Sequence, residues 1–293
     1  MIIAQTIANG LIAGAVYALV AAGFSLIYNT HKFFHLAHGA VYAVGAFAAW
    51  AAFAGGAPLP LALLAGVVVA AVAGIAIEFL AYAPVRRKGG GNMALLLASF
   101  GALLFFQGLL QLIFGAELRT FELPAEKGID FFGAAITPLQ LLIITSSLAV
   151  VALLYALLKK TAFGRRVRAV ADNAQLASLA GINAPRVSLI VFVAGSVLAG
   201  AAGALVAVEQ NAEPAMGFNA VLKGVSAAIV GGVGSVPAAV AGGFVVGFSE
   251  NVGVMFVPSG YKDAISFALL VAFLLFRPQG LFGTVQRRDV ASD

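Results

Sequence analysis

Few side chains in this sequence could do chemistry, and they stand apart from one another. His31, His35 and His38 are spaced four and three apart, a spacing that metal ligands use on a helix. No Cys or acidic residue adjoins them to complete a zinc-type set, so no metal is expected. Lys223, Glu250 and Glu78 interrupt apolar runs. A charge at the centre of a bilayer costs about 2.5–3.5 kcal/mol on insertion scales, so such a residue needs a partner or a wet path. Lys223 and Glu250 bracket a Gly-rich stretch and could pair with each other or face a path. Glu78 precedes Arg86 and Arg87, which suits a structural ion pair. Gln107 and Gln111, four apart, suit hydrogen bonding between helices. No nucleophile–base pair is visible and the chain has no Cys, so no enzyme is expected. Gly231-x-x-Gly234 has no Lys-Ser/Thr after it, and nothing in the chain matches a phosphate-binding loop. The chain is therefore expected to have no ATP site of its own.

The elements that must position these residues follow from composition. Of 293 residues 62% are hydrophobic and 10% charged, with mean hydropathy +1.03. A soluble domain carries roughly 25% charged residues. A bilayer removes the need for a polar surface. Apolar runs stand at about 2–29, 36–54, 59–83, 93–114, 138–158, 187–208, 220–250 and 262–276. They are too long and too even for barrel strands, and in lipid only helices satisfy their own backbone. At about 20 residues per crossing, the expectation is an all-α polytopic transmembrane bundle. It has about eight or nine spanning helices and a broken or re-entrant Gly-rich segment. One transmembrane domain should cover 1–293. The run from Ile2 to Ile27 is too long for a signal-peptide core and is expected to be a retained span.

Most of the 17 basic residues cluster in a few breaks: Lys32, Arg86 to Lys88, Lys159 to Arg186, and the tail with Arg277, Arg287 and Arg288. Loop 115–137 carries Glu117, Glu122, Glu126 and Asp130, and turn 209–219 carries Glu209 and Glu213. By the positive-inside rule the first set is cytoplasmic and the second outside. That puts the C-terminus inside and the N-terminus outside. Membrane orientation also accounts for the net charge of +5, with no nucleic-acid partner.

Loop 159–187 is the longest basic break. Val167, Val170 and Ala171 follow i, i+3, i+4, and Leu176, Leu179 and Ala180 repeat the pattern, so one or two short amphipathic helices are expected. Gly181 suits a C-cap. On the residues alone, the arginines could anchor these helices to anionic lipid or the helices could dock a cytoplasmic partner. The Gly-rich stretch is likewise open. Gly242, Gly243 and Gly247 suit helix packing. Gly231, Gly232, Gly234 and Ser235, before Pro237, could form a plain turn or broken backbone lining a path.

The phrase Gly164-Arg165-Arg166-Val167-Arg168-Ala169-Val170-Ala171-Asp172-Asn173, followed by Gly181-Ile182, resembles the coupling loop of branched-chain amino acid ABC-importer permeases. Asn9-Gly10, Tyr17-Ala18-Leu19, Ala37-His38-Gly39, Gly231 to Pro237, Tyr261-Lys262-Asp263 and Arg277 to Gly283 resemble the same family in order, and most closely its LivH-type subunit. The resemblance implies that Gly164, Arg165, Arg166, Arg168, Asp172, Asn173 and Gly181 form an ATPase-docking loop. Candidate pathway residues are Gly231, Gly232, Gly234, Ser235, Lys223, Glu250 and His38, with His38 positioning its turn. It further implies a bacterial inner-membrane importer with a second permease subunit, cytoplasmic ATPases that bind the ATP, and an outside solute-binding protein. The permease itself would need no cofactor. The solute expected is a branched-chain or other hydrophobic amino acid. The same family also handles urea, short amides and aromatic acids, and a stand-alone secondary transporter or channel is the rival of another class.

Overall fold

A computed structural model describes residues 2–124 and 127–283. Glu126, Arg287 and Arg288, which helped sort the loops, lie outside the described residues. The helices are α1 (Ile2–His31), α2 (His38–Ala54), α3 (Leu59–Ile77), α4 (Ala83–Arg87), α5 (Asn92–Phe114), α6 (Pro138–Lys160), α7 (Ala162–Asp172), α8 (Ala174–Leu179), α9 (Ala184–Gln210), α10 (Met216–Gly231), α11 (Val236–Gly253) and α12 (Lys262–Phe276). A π-helical turn, Glu78–Tyr82, joins α3 to α4. A small hairpin, β1 (Ile129–Phe131) and β2 (Ala134–Ile136), sits in the acidic loop. The all-α membrane bundle expected from the apolar runs is what forms.

Among the described residues, six helices are long and apolar enough to cross a bilayer, or seven if the bent pair α10–α11 counts as one span. The expected eight or nine is not confirmed by that measure. Two local geometries explain the difference. First, α10 and α11 are bent 113° from each other about residues 232–235, so the Gly-rich region turns back on itself. Second, α2 has only 17 residues and starts deep in the protein. His38 Nε2 lies 3.2 Å from Val20 O, and a Cβ on Gly23 would press on the His38 ring. Val20 is eleven residues before the end of α1, about 16 Å at 1.5 Å per residue. Residues 32–37 therefore fold back along α1 before α2 begins.

α1 is the central helix and packs on α11, α9, α10 and α6. Its most apolar stretch is 83% buried, as a core helix requires, while Ile2, Ile3 and Ile7 at its start are exposed. The outer helices differ: only 22% of α5 and α6 is buried over their most apolar stretches, and 6% of α12. Their exposed Leu97, Leu104, Leu112 and Leu275 suit lipid contact. In lipid no hydrophobic drive brings helices together, so close packing must do it. A Cβ on Gly247 would overlap the backbone of Gly14, and one on Gly243 that of Ala18. This is how α1 and α11 approach backbone to backbone. Gly39 on α2 and Gly217 on α10 each abut the other's carbonyl oxygen. Gln107 and Gln111 make no hydrogen bond to another helix among the described residues, and Gln111 is exposed on the outer face of α5. Glu78 does pair with Arg86.

Gly217→Ala should therefore cost about 1–3 kcal/mol by overpacking and lower the unfolding midpoint in detergent. Gly108→Ala, which faces open space, should not. Equal midpoints for the two variants would show that the crossing is not tight.

Candidate functional site

A cavity of about 500 Å³ opens at the end of the bundle that carries Leu118, Glu209 and Glu213. That volume lies within the roughly 300–1,000 Å³ of small-molecule sites. α1 supplies one wall through Asn9, Ile12, Val16, Tyr17 and Val20; α9, α10 and α12 supply most of the rest. Gln140 reaches in from the start of α6, where Thr137 and Gln140 form a capping box. The Gln140 side chain also donates to Glu209 Oε1 at 3.1 Å. Tyr42 of α2 and Val20 of α1 also line the cavity.

One charged cluster joins four helices beside this cavity. Lys223 on α10 places Nζ 3.2 Å from Glu250 Oε1 on α11 and 2.9 Å from Asp263 Oδ1 on α12. It also donates to the Tyr17 hydroxyl on α1 at 3.1 Å. Tyr17 in turn donates to Glu250 Oε2 at 2.6 Å, and Ser266 donates to Glu250 Oε1. Glu250 is 1% exposed and does not line the cavity, whereas Lys223 and Asp263 do. Lys262, the neighbour of Asp263, donates to Asn251 Oδ1 at 3.2 Å. The two open readings of Lys223 and Glu250 thus combine: they pair, and Lys223 also faces the cavity.

Gly231, Gly232, Gly234 and Ser235 lie elsewhere, at the α10–α11 bend. Gly232 and Gly234 have φ of +132° and +91°, which ends α10. The carbonyls left free there are taken by the chain itself. Leu281 N donates to Val230 O and Phe282 N to Gly231 O, both at 2.9 Å. None of these four residues lines the 500 Å³ cavity. His38 is fully buried against Val20 and does not line it either. The three histidines have separate partners: His31 Nδ1 faces Ile27 O, His35 Nδ1 lies 2.7 Å from the Tyr82 hydroxyl, and His38 faces Val20 O.

The basic loop folds as two capped helices at the opposite end. Thr161 caps α7 through Gly164 N, and Asn173 caps α8 through Gln175 N and Leu176 N, each at 3.0 Å. Val167, Val170 and Ala171 are buried as expected, and Arg165 and Arg166 are exposed. A Cβ on Gly164 would overlap the backbone of Leu158, so only glycine lets α7 pack against the end of α6. Arg168 donates to Leu158 O at 2.5 Å. Gly181, φ +81°, ends α8 with Gly181 N→Ser178 O and Ile182 N→Ala177 O bonds, the paired pattern of a Schellman cap. Asp172 is exposed beside this joint. Leu176 and Leu179, the apolar stripe of the second amphipathic helix, are 63% and 85% exposed.

The sequence matches the family described as branched-chain amino acid transport system, permease component, over residues 6–274. The chain belongs to that family. This permease chain is 32% identical to the high-affinity branched-chain amino acid transport system permease protein BraD of Pseudomonas aeruginosa, over 95% of each chain. It is 33% identical to LivH of Escherichia coli, again over 95% of each. In fold it is similar to PsaBC of Streptococcus pneumoniae, solved in complex with Fab, with TM-score 0.54, 13% identity, and 92% and 91% of the two chains covered. As a multi-pass membrane permease component, it is not an enzyme.

Tyr17, Asp263, Ser266 and Asn251 were not marked as site residues by their sequence context. Tyr17 and Asp263 sit in stretches that carry the family resemblance, which was the available signal. Lys223→Met should leave buried Glu250 uncompensated, at a cost of about 3–5 kcal/mol. The double change Lys223→Met with Glu250→Gln should recover much of it. Thermal unfolding of both variants in detergent checks this, and no recovery in the double variant would exclude the pairing as the cause.

Proposed function

We propose that this chain is the permease subunit of an ABC importer that carries branched-chain or other hydrophobic amino acids across the bacterial inner membrane. The names of its relatives support the solute class. The observation that carries the mechanism is the placing of two features at opposite ends of the same helices. α6 and α9 each hold the cavity at one end, through Gln140 and Glu209, and the two capped helices at the other. Their 23 and 27 residues span about 35–40 Å, enough to cross the bilayer.

With the acidic end outside and the basic end inside, the N-terminus lies outside and the C-terminus in the cytoplasm. A solute-binding protein delivers solute to the cavity. A second permease subunit completes the path within one transmembrane domain, 1–293. Cytoplasmic ATPases bind ATP and dock on α7 and α8, using Gly164, Arg165, Arg166, Arg168, Asp172, Asn173 and Gly181. Leu176 and Leu179 on α8 and Arg165 and Arg166 on α7 are all exposed, and an uncovered apolar pair within a basic loop supports a protein partner. The path runs past Lys223 and Glu250 toward His38 and the bend at Gly231, Gly232, Gly234 and Ser235.

Reconstituted with candidate partners, the chain should take up leucine only when ATPase and ATP are present. Leu179→Asp should weaken ATPase binding by about 2 kcal/mol, roughly thirtyfold, with the Arg165→Glu/Arg166→Glu pair acting in the same direction. Uptake that persists with no ATPase would overturn the proposal.

A further inference from the structure

The cavity holds an unusual charge arrangement. Lys223 shares one positive charge between two carboxylates of different character. Glu250 is held from behind by Tyr17 and Ser266 and is 1% exposed. Asp263 has a side chain 54% exposed and, among the described residues, an ion pair with Lys223 alone. It is the loosely held member, and it faces the cavity. The same cavity is also lined by aliphatic and thioether side chains, Ile12, Ala13, Val16, Val20, Val206 and Met216.

We infer that the Lys223–Asp263 pair is the permease's own recognition site for the zwitterionic head of a free amino acid, and that it works by exchange of ion partners. The solute's α-carboxylate takes the place of Asp263 at Lys223 Nζ. Its α-ammonium takes the place of Lys223 at Asp263. Lys223 keeps Glu250 and Tyr17 throughout. The aliphatic lining residues receive the solute's side chain. Net charge in the cavity is unchanged, and no charge is left unpaired. A solute bearing only one of the two charges breaks the resident pair and repairs half of it. Lys223, whose side chain is 18% exposed, or Asp263 is then left without its partner, and a site left with an unpaired polar group disfavours that solute. The carboxylates Glu209 and Glu213 near the rim add a field that favours the ammonium end.

This inference rests on the proposed amino-acid permease reading, but its test does not need ATP. The chain has no Cys, so Asn219→Cys in the cavity wall gives one labelling site. The full-length variant in lipid nanodiscs is treated with a maleimide in the presence of leucine, isopentylamine or 4-methylpentanoate. Leucine should slow labelling, and each singly charged analogue should need roughly tenfold more or worse to match it. Adding Asp263→Asn should abolish protection by leucine, and Asp263→Glu should restore it. Size-exclusion profiles confirm that both variants stay folded. Protection by the analogues equal to that by leucine, protection that survives Asp263→Asn, or no protection by any solute would overturn the inference. Failure of ATP-driven uptake with protection intact would instead overturn the importer reading.

Discussion

One positive charge organises the cavity end of the bundle. Lys223 Nζ meets carboxylates from α11 and α12 and a phenol from α1. Without such partners a lysine and two acids could not be placed among apolar helices, because desolvating each ion costs several kcal/mol. Once placed, they constrain the helices that bear them. α12 contributes little buried surface, and lipid offers no hydrophobic reason for it to join the bundle. Asp263 and Ser266 supply polar contacts at its first turns, on the face toward α10 and α11. The cluster thus both holds an outer helix and leaves its loosest carboxylate in the cavity.

The same accounting explains the other end. A bend inside a membrane protein frees backbone groups that hydrocarbon cannot satisfy. At residues 232–235 the chain meets that demand with its own residues, Leu281 and Phe282, which reach the carbonyls of Val230 and Gly231. The Gly280 turn, φ +77°, sits where a side chain would strike Gly232. Two distant glycine-containing segments therefore form one joint. The carbonyls of Val230 and Gly231 at this bend are thus already hydrogen-bonded to the chain.

Much of the fold was legible in the sequence, and the limits are physical. Apolar runs marked the spans to within a few residues, since lipid forces each run to close its own hydrogen bonds. Local spacing marked Glu78 with Arg86 and the buried stripe Val167, Val170 and Ala171. At Leu176 and Leu179 local spacing marked an apolar stripe, but periodicity shows that a face exists, not what covers it. The Lys223–Glu250–Asp263 cluster joins residues far apart in the chain, and no periodicity links them. The pairing of Lys223 with Glu250 could be weighed because they bracket one stretch, whereas the part of Asp263 and the fold-back of residues 32–37 were hidden. The fold-back depends on His38 meeting a carbonyl halfway along α1, a contact that apolar content does not encode. The hairpin at 129–136 was missed because strands this short carry no pattern of their own.

The two ends are joined by stiff elements. α6 begins with Thr137 and Gln140 at the cavity, and in its last turn, at Leu158, Gly164 of α7 lies in backbone contact and Arg168 binds the Leu158 carbonyl. α9 begins just after α8, capped by Asn183, and ends with Glu209 and Gln210 in the cavity wall. A displacement of α7 would act on α6 through a contact with no room for a methyl group, so little of it could be absorbed by side-chain movement. Close-packed interfaces of this kind shift as rigid bodies between discrete arrangements. The Gln140–Glu209 hydrogen bond ties the far ends of α6 and α9 together. A push on the basic loop therefore has a short mechanical route to the polar rim, and that rim adjoins the Lys223 cluster. Glycine at 164 matters here for stiffness, because it lets backbone bear directly on backbone.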